Sequence, residues 1–66
     1  MKPKYPDVVV HLVGEDGNAF NVMGLVARAL REAGVPSKEV AAYMKESMSG
    51  DYDKLLVTAL KWVDVR

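Results

Sequence analysis

The chain contains no cysteine, and His11 is its one histidine. It therefore has no disulfide and no plausible metal cluster, which are the devices that commonly stabilise very small domains. A chain of 66 residues buries roughly 60% of the surface that its unfolded form exposes, so its stability margin is thin. The remaining stabilisers are a well-packed core and self-association, which makes a homodimer one of our expectations.

The chain also has no excess of charge, since Lys+Arg and Asp+Glu number nine each. A protein that mainly grips a phosphate backbone usually carries a basic excess, and a mimic of nucleic acid would carry an acidic one. The sequence has no apolar run long enough for a signal peptide or a membrane span. Because the chain has no cysteine that would indicate an oxidising compartment, we expect a cytoplasmic protein with no membrane partner.

The N-terminal third is predicted to hold an arm and a strand. Two prolines and two lysines in residues 1–6 favour an extended arm, which leaves residues 7–66 as a single small domain. Asp7–Val13 is rich in β-branched residues and predicts a strand. Both faces of this strand are mostly apolar, so we expect it to be covered on both sides or to lie in an interface. One face would carry Val8, Val10 and Leu12, and the other Val9, His11 and Val13.

Three helices and a short strand are predicted for the rest of the chain. Helix signals favour Ala19–Ala33, Pro36–Met48 and a segment beginning at Tyr52. The expected N-caps are Asn18 and Asp51, Gly34 is the expected C′ residue, and Gly24 suggests a close backbone approach. The stripes expected in the core include Phe20, Met23, Ala27 and Leu30, and then Tyr52, Leu55, Leu56, Ala59, Leu60 and Val63.

The ending Trp62–Arg66 alternates apolar and polar residues, which is typical of a short strand. This strand could pair with the first strand of the same chain, or the first strand could pair with one from a second protomer. The predicted fold class is therefore α+β, with an N-terminal strand, three helices and a short C-terminal strand beside the first.

The loop Gly14-Glu15-Asp16-Gly17 follows a strand and precedes a helix, as phosphate-binding loops do. It lacks the lysine and the Ser/Thr of a P-loop, and its acids would repel a phosphate. We interpret it as a structural corner in which the glycines take positive φ. No spacing gives His11 a catalytic partner, and capping explains the acids around Tyr52. We predict no catalytic, cofactor or metal residues, no small-molecule substrate, and hence no enzyme.

Tyr43, Met44, Met48 and Trp62 form the predicted protein-interaction surface. Methionines adapt to irregular partners, and Tyr and Trp are common binding anchors. Core packing is the alternative for the same residues. The function that we expect is a small non-enzymatic interaction or accessory protein, self-associating through its strand or through its second and third helices.

A nucleic-acid-binding regulator is the second hypothesis, because three short helices can form a helix-turn-helix. Its phosphate contacts would be basic side chains of the arm and the first two helices. Zero net charge and the acids between the basic residues weigh against it. The contacts in question are Lys2, Lys4, Arg28, Arg31 and Lys38.

Two segments, GEDGNAF at residues 14–20 and SGDYDKLL at residues 49–56, are the most distinctive parts of the chain. With the intervening ALREAGV at residues 29–35, they resemble a group of short bacterial proteins of chromosomes, plasmids and prophages. The resemblance covers nearly all of the chain from the first strand onward. It implies a bacterial or mobile-element protein that stands alone as one domain, and it implies no activity and no functional residue.

Overall fold

The computed structural model describes residues 2–66, and Met1 lies outside the described residues. Its α+β architecture confirms the predicted fold class, since an N-terminal strand, three helices and a C-terminal strand follow in that order. The elements are β1 (Tyr5–Val10), α1 (Ala19–Glu32), α2 (Ser37–Ser47), α3 (Tyr52–Trp62) and β2 (Val63–Val65).

The helix ends lie close to where the local chemistry predicts them. The Asn18 side chain accepts hydrogen bonds from the backbone amides of Phe20 and Asn21, at 2.9 and 3.4 Å. Asp51 caps α3 in the same way through the amide of Lys54, at 3.0 Å. These bonds satisfy amides that have no partner within their helix. The N-cap predictions are therefore confirmed.

The boundary between α1 and α2 is set by two residues with fixed backbone preferences. Gly34 takes a φ of +83°, the left-handed conformation expected of a C′ glycine. Pro36 has an extended ψ of 144° and precedes Ser37 as the N-cap of α2. The helix therefore begins one residue later than predicted, because Pro36 is not itself helical.

The two strands pair in parallel within the chain, with Val9 beside Asp64 and Val10 beside Val65. Beyond β2, the Arg66 amide donates to the Val10 carbonyl at 2.8 Å, and the Leu12 amide donates to the Arg66 carbonyl at 2.7 Å. Parallel pairing needs a long crossover, which the three helices supply. Of the two pairings left open by the sequence, the structure has the one within the chain.

One core lies between the sheet and the helices. β1 contributes Val8 and Val10, and each helix adds fully buried side chains such as Leu30 of α1 and Tyr43 of α2. Val63 was expected on the α3 stripe, but its backbone is extended and it begins β2. Its side chain nevertheless lies in the core.

The first strand begins and ends earlier in the chain than predicted, so the last residues assigned to the N-terminal arm belong to the strand. β1 begins at Tyr5 and ends at Val10. The Lys4 amide donates to the Lys61 carbonyl at 2.8 Å, and the Tyr5 hydroxyl donates to Glu39 at 3.1 Å. These contacts with distant helices extend the strand toward the N-terminus and fix residues 4–6 to the domain.

Several burial predictions also fail. Val9 and His11 are exposed, so residues 2–66 do not cover the second strand face, and the expectation that it lies in an interface stays a prediction. Phe20 and Leu60 are exposed although their spacing places them on apolar stripes. A Cβ built on Gly24 meets nothing within 4 Å, so the predicted close approach is absent there.

Candidate interaction surface

The four residues of the predicted interaction surface lie in different environments. Tyr43 and Trp62 are 0% and 6% exposed and belong to the core. Met44 is half-buried against that core, whereas Met48 is 60% exposed. The predicted surface does not form as one patch, because α2 and α3 pack their aromatic side chains inward against β1.

Trp62 stands at the centre of an aromatic cluster, which comprises Tyr5, Tyr43 and Trp62. The Tyr5 and Trp62 rings stack with centroids 6.0 Å apart. The Tyr43 ring meets Trp62 edge-on, with centroids 5.8 Å apart. The Lys4 ammonium lies 4.4 Å from the Trp62 centroid, within range of a cation–π interaction. The cluster therefore joins β1, α2 and α3.

Two glutamates of α2 border the aromatic cluster. Glu39 accepts from Lys4 Nζ at 2.5 Å and from the Tyr5 hydroxyl at 3.1 Å. Glu46 accepts from Lys61 Nζ at 2.9 Å and from Trp62 Nε1 at 3.3 Å. These hydrogen bonds are made to ionised carboxylates and give the cluster a polar border.

The same bonds shift the pKa values of the groups around the cluster. Hydrogen bonds from Lys4 and then Tyr5 lower the pKa of Glu39 below 4.5. Those from Lys61 and then Trp62 lower the pKa of Glu46. Both shifts favour the ionised carboxylate, which is the form that the contacts need.

Two hydroxyls of α2 are buried without a hydrogen-bond partner among residues 2–66: those of Tyr43 and Ser47. Burial raises the pKa of Tyr43, and the Ser47 hydroxyl one turn along α2 lowers it in part, although the two hydroxyls do not have the geometry of a hydrogen bond. Desolvation of an unpaired hydroxyl costs stability. Burial of the Tyr43 ring is therefore favourable, whereas burial of its hydroxyl costs stability.

A second apolar region is an open groove of about 270 Å³ where α1 begins, α2 ends and α3 begins. Phe20 and Met48 both line it and are 75% and 60% exposed. Contiguous apolar patches on the surface of a soluble protein often mark a binding site. We call this region the apolar groove and define it by Ala19, Phe20, Met23, Met48, Tyr52 and Leu55.

The apolar groove exists because three element ends meet there and no further element among residues 2–66 covers them. Phe20 is the second residue of α1, so its side chain lies at the end of the helix. The Tyr52 hydroxyl donates to the Gly17 carbonyl, which ties the loop before α1 to the start of α3. Helical spacing alone assigned Phe20 to the core. Its place in the first turn, directly after a loop, was the signal that could have distinguished Phe20 from the core residues of the same stripe.

The loop between β1 and α1 has the structural role that its sequence suggests. Gly14 takes a φ of +86°, as predicted, whereas Gly17 does not have a positive φ. Asp16 Oδ1 accepts the Asn18 amide at 3.0 Å, which shapes the chain before the cap. Across residues 2–66, no three His, Asp or Glu side chains are grouped so that they could hold a metal ion.

The candidate phosphate contacts are spread over three parts of the chain. Lys4 pairs with Glu39, and Arg28 pairs with Glu32 at 2.9 Å. Both cations thus have a carboxylate partner. The other three are exposed side chains: Lys2, Arg31 and Lys38.

No family model matches the chain, and no curated protein or solved structure is significantly similar to it. Within residues 2–66, no helix combines the length and the apolar character that crossing a membrane requires.

Proposed function

We propose that this chain is a small non-enzymatic interaction protein that binds an apolar segment of another protein in the apolar groove. The observation that carries the proposal is the exposure of Phe20 and Met48, which both line one concave surface. Binding anchors are typically buried in such pockets, where water is excluded from the contact. The resemblance to short bacterial and prophage proteins supports a bacterial or mobile-element origin, and the absence of cysteine supports a cytoplasmic location.

Charge near the apolar groove indicates what should flank the apolar anchor of the partner. Asp51 lines the groove, and Glu15 and Asp16 lie in the loop that Tyr52 holds against α3. Complementary charge steers association and sets the register of a bound segment. We therefore propose a partner segment with a large apolar side chain next to lysine or arginine.

Selection from a random peptide library on the immobilised protein tests this proposal. The selected peptides should carry an apolar residue flanked by basic ones, and Phe20→Ser should weaken their binding at least about tenfold, since hot-spot truncations cost about 2 kcal/mol. Leu60→Ser is the matched control, because Leu60 is an exposed apolar residue outside the groove. Equal binding by wild type and Phe20→Ser, or no selected sequence, would contradict the proposal.

A gel-shift titration separates this function from nucleic-acid binding. Our proposal predicts no retardation of duplex DNA at low salt. Retardation that weakens steeply with salt, and that weakens further in Lys2→Ala and Lys38→Ala variants, would instead support the regulator hypothesis.

A further inference from the structure

β1 has one paired edge and one open edge. Its paired edge is defined by the Val10 carbonyl and the Leu12 amide, which both bond to Arg66. Successive residues of an extended strand direct their backbone groups to opposite edges. Val9 and His11 therefore direct theirs away from β2. The sheet in residues 2–66 has two strands, so this edge meets no further strand.

The solvent face of the same segment carries an alternation of its own. Val8 and Val10 are buried, whereas Asp7, Val9 and His11 are exposed. Val9 is 38% exposed at the middle of this face, with an acid two residues before it and a histidine two residues after it. A two-stranded sheet is marginal by itself, and an open edge with an apolar centre favours pairing with another strand.

We propose that a second copy of this chain pairs antiparallel with the open edge of β1, with Val9 opposite Val9. In this register Asp7 lies opposite His11 of the second copy, and His11 lies opposite Asp7 of the second copy. The two-fold axis through Val9 makes both contacts equivalent. The product is a four-stranded sheet in the order β2-β1-β1-β2.

Backbone and side-chain chemistry select the same register. Val9 and His11 share the backbone direction of the open edge, so the Val9 pair can exchange both its N–H and C=O groups. Asp7 lies in the register shift between Tyr5 and Val9 and contributes its exposed side chain to the pairing. An imidazole can donate a hydrogen bond to a carboxylate, and interacting side chains that lie directly opposite each other on two paired strands stabilise the pairing. A shift by two residues would place Asp7 against Val9 and lose both Asp–His contacts.

The N-terminal end of this edge is accessible. A cleft of about 470 Å³ separates residues 4–8 from the connection between α1 and α2 at residues 33–36. The apolar groove is lined by none of the β1 residues. The dimer would therefore leave one free groove on each copy, and the two proposals can fail separately.

Sedimentation equilibrium of the wild-type protein, up to about 1 mM, tests the pairing. We expect a concentration-dependent monomer–dimer equilibrium. His11→Asp should weaken the dimer about tenfold, because it places like charges opposite one another at two equivalent positions. The exchange variant Asp7→His/His11→Asp should restore wild-type affinity, since it recreates both opposite pairs.

Val9→Pro is a second, independent variant, because it removes an amide from the open edge while edge strands tolerate proline. It should also weaken the dimer, and far-ultraviolet circular dichroism verifies that each variant is folded. Leu60→Asp, on α3, is the control and should dimerise like the wild type.

A strict monomer at about 1 mM, or equal dimerisation of wild type and His11→Asp, would overturn the proposal. So would a dimer that Phe20→Ser abolishes, since that result assigns the interface to the apolar groove.

Discussion

The aromatic cluster and the apolar groove both include large side chains from α2 and α3 or their ends, yet one is closed and the other open. At the cluster, β1 lies across α2 and α3 and brings Tyr5 onto Trp62. At the groove, the start of α1 meets the end of α2 and the start of α3, and Phe20 remains 75% exposed. Burial is thus decided by whether a neighbouring element covers a side chain, as β1 covers Trp62, and not by residue type.

Breaking the aromatic cluster should have the largest effect on stability. Trp62→Ala removes a ring that is packed against Tyr5 and Tyr43, and we expect a loss of about 3–5 kcal/mol in the free energy of unfolding. That loss is a large part of the stability of a small domain, so much of the variant should be unfolded. Urea denaturation followed by circular dichroism measures it, and a loss below about 1 kcal/mol would contradict the central place of Trp62.

Acid should weaken the border of the aromatic cluster before it affects the apolar groove. The pKa values of Glu39 and Glu46 are lowered in the folded protein, so their contribution is complete above the unfolded value. It is lost as the pH falls through the lower, folded pKa values. We therefore expect the melting temperature of the wild type to decrease once the pH is lowered below about 4.5.

The double variant Glu39→Gln/Glu46→Gln isolates this contribution. It should melt at a lower temperature than the wild type at neutral pH, and the difference should shrink in acid. Melting curves at several pH values measure this convergence. If the difference in melting temperature between the two proteins stays constant well below the ordinary carboxyl pKa range, the two glutamates are not the source of the acid-dependent loss of stability.

Tyr43→Phe should have a smaller effect, and of the opposite sign. The Tyr43 hydroxyl is buried without a partner among the described residues, while its ring packs well. Removing the hydroxyl ends a desolvation cost and should leave stability unchanged or raise it by up to about 1 kcal/mol. Destabilisation beyond about 1 kcal/mol would show that the hydroxyl is satisfied in the folded protein.

Phe20→Ser should have the smallest effect on folding. Because three quarters of its surface is exposed, we expect the free energy of unfolding to change by no more than about 0.5 kcal/mol. Urea denaturation beside Trp62→Ala makes the comparison direct. A cost near that of Trp62→Ala would place Phe20 in the core and remove the contrast between the two regions.

The sequence predicted the features that depend on near neighbours. Asn18 and Asp51 cap helices within three residues, and Gly34 ends α1 through its own backbone. The alternation at the C-terminus identified β2, because a strand has a period of two. These signals are local, so a single sequence carries them.

The environments of the aromatic residues were not predictable in the same way. Tyr5 meets Glu39 across 34 positions of sequence, and this contact turns a proline-containing segment into part of a strand. Phe20 has the spacing of a core residue, yet it is 75% exposed among the described residues, at the start of its helix. Spacing shows which residues share a helix face and does not show which faces another element covers.

Hydroxyl-radical labelling read by mass spectrometry, with and without a selected peptide, tests the central claim most directly. In the free protein, Phe20 and Met48 should be labelled much faster than Tyr43 and Trp62. Peptide should protect Phe20 and Met48 and leave the aromatic cluster unchanged. Fast labelling of Trp62 in the folded protein, or protection confined to residues outside the apolar groove, would contradict the account.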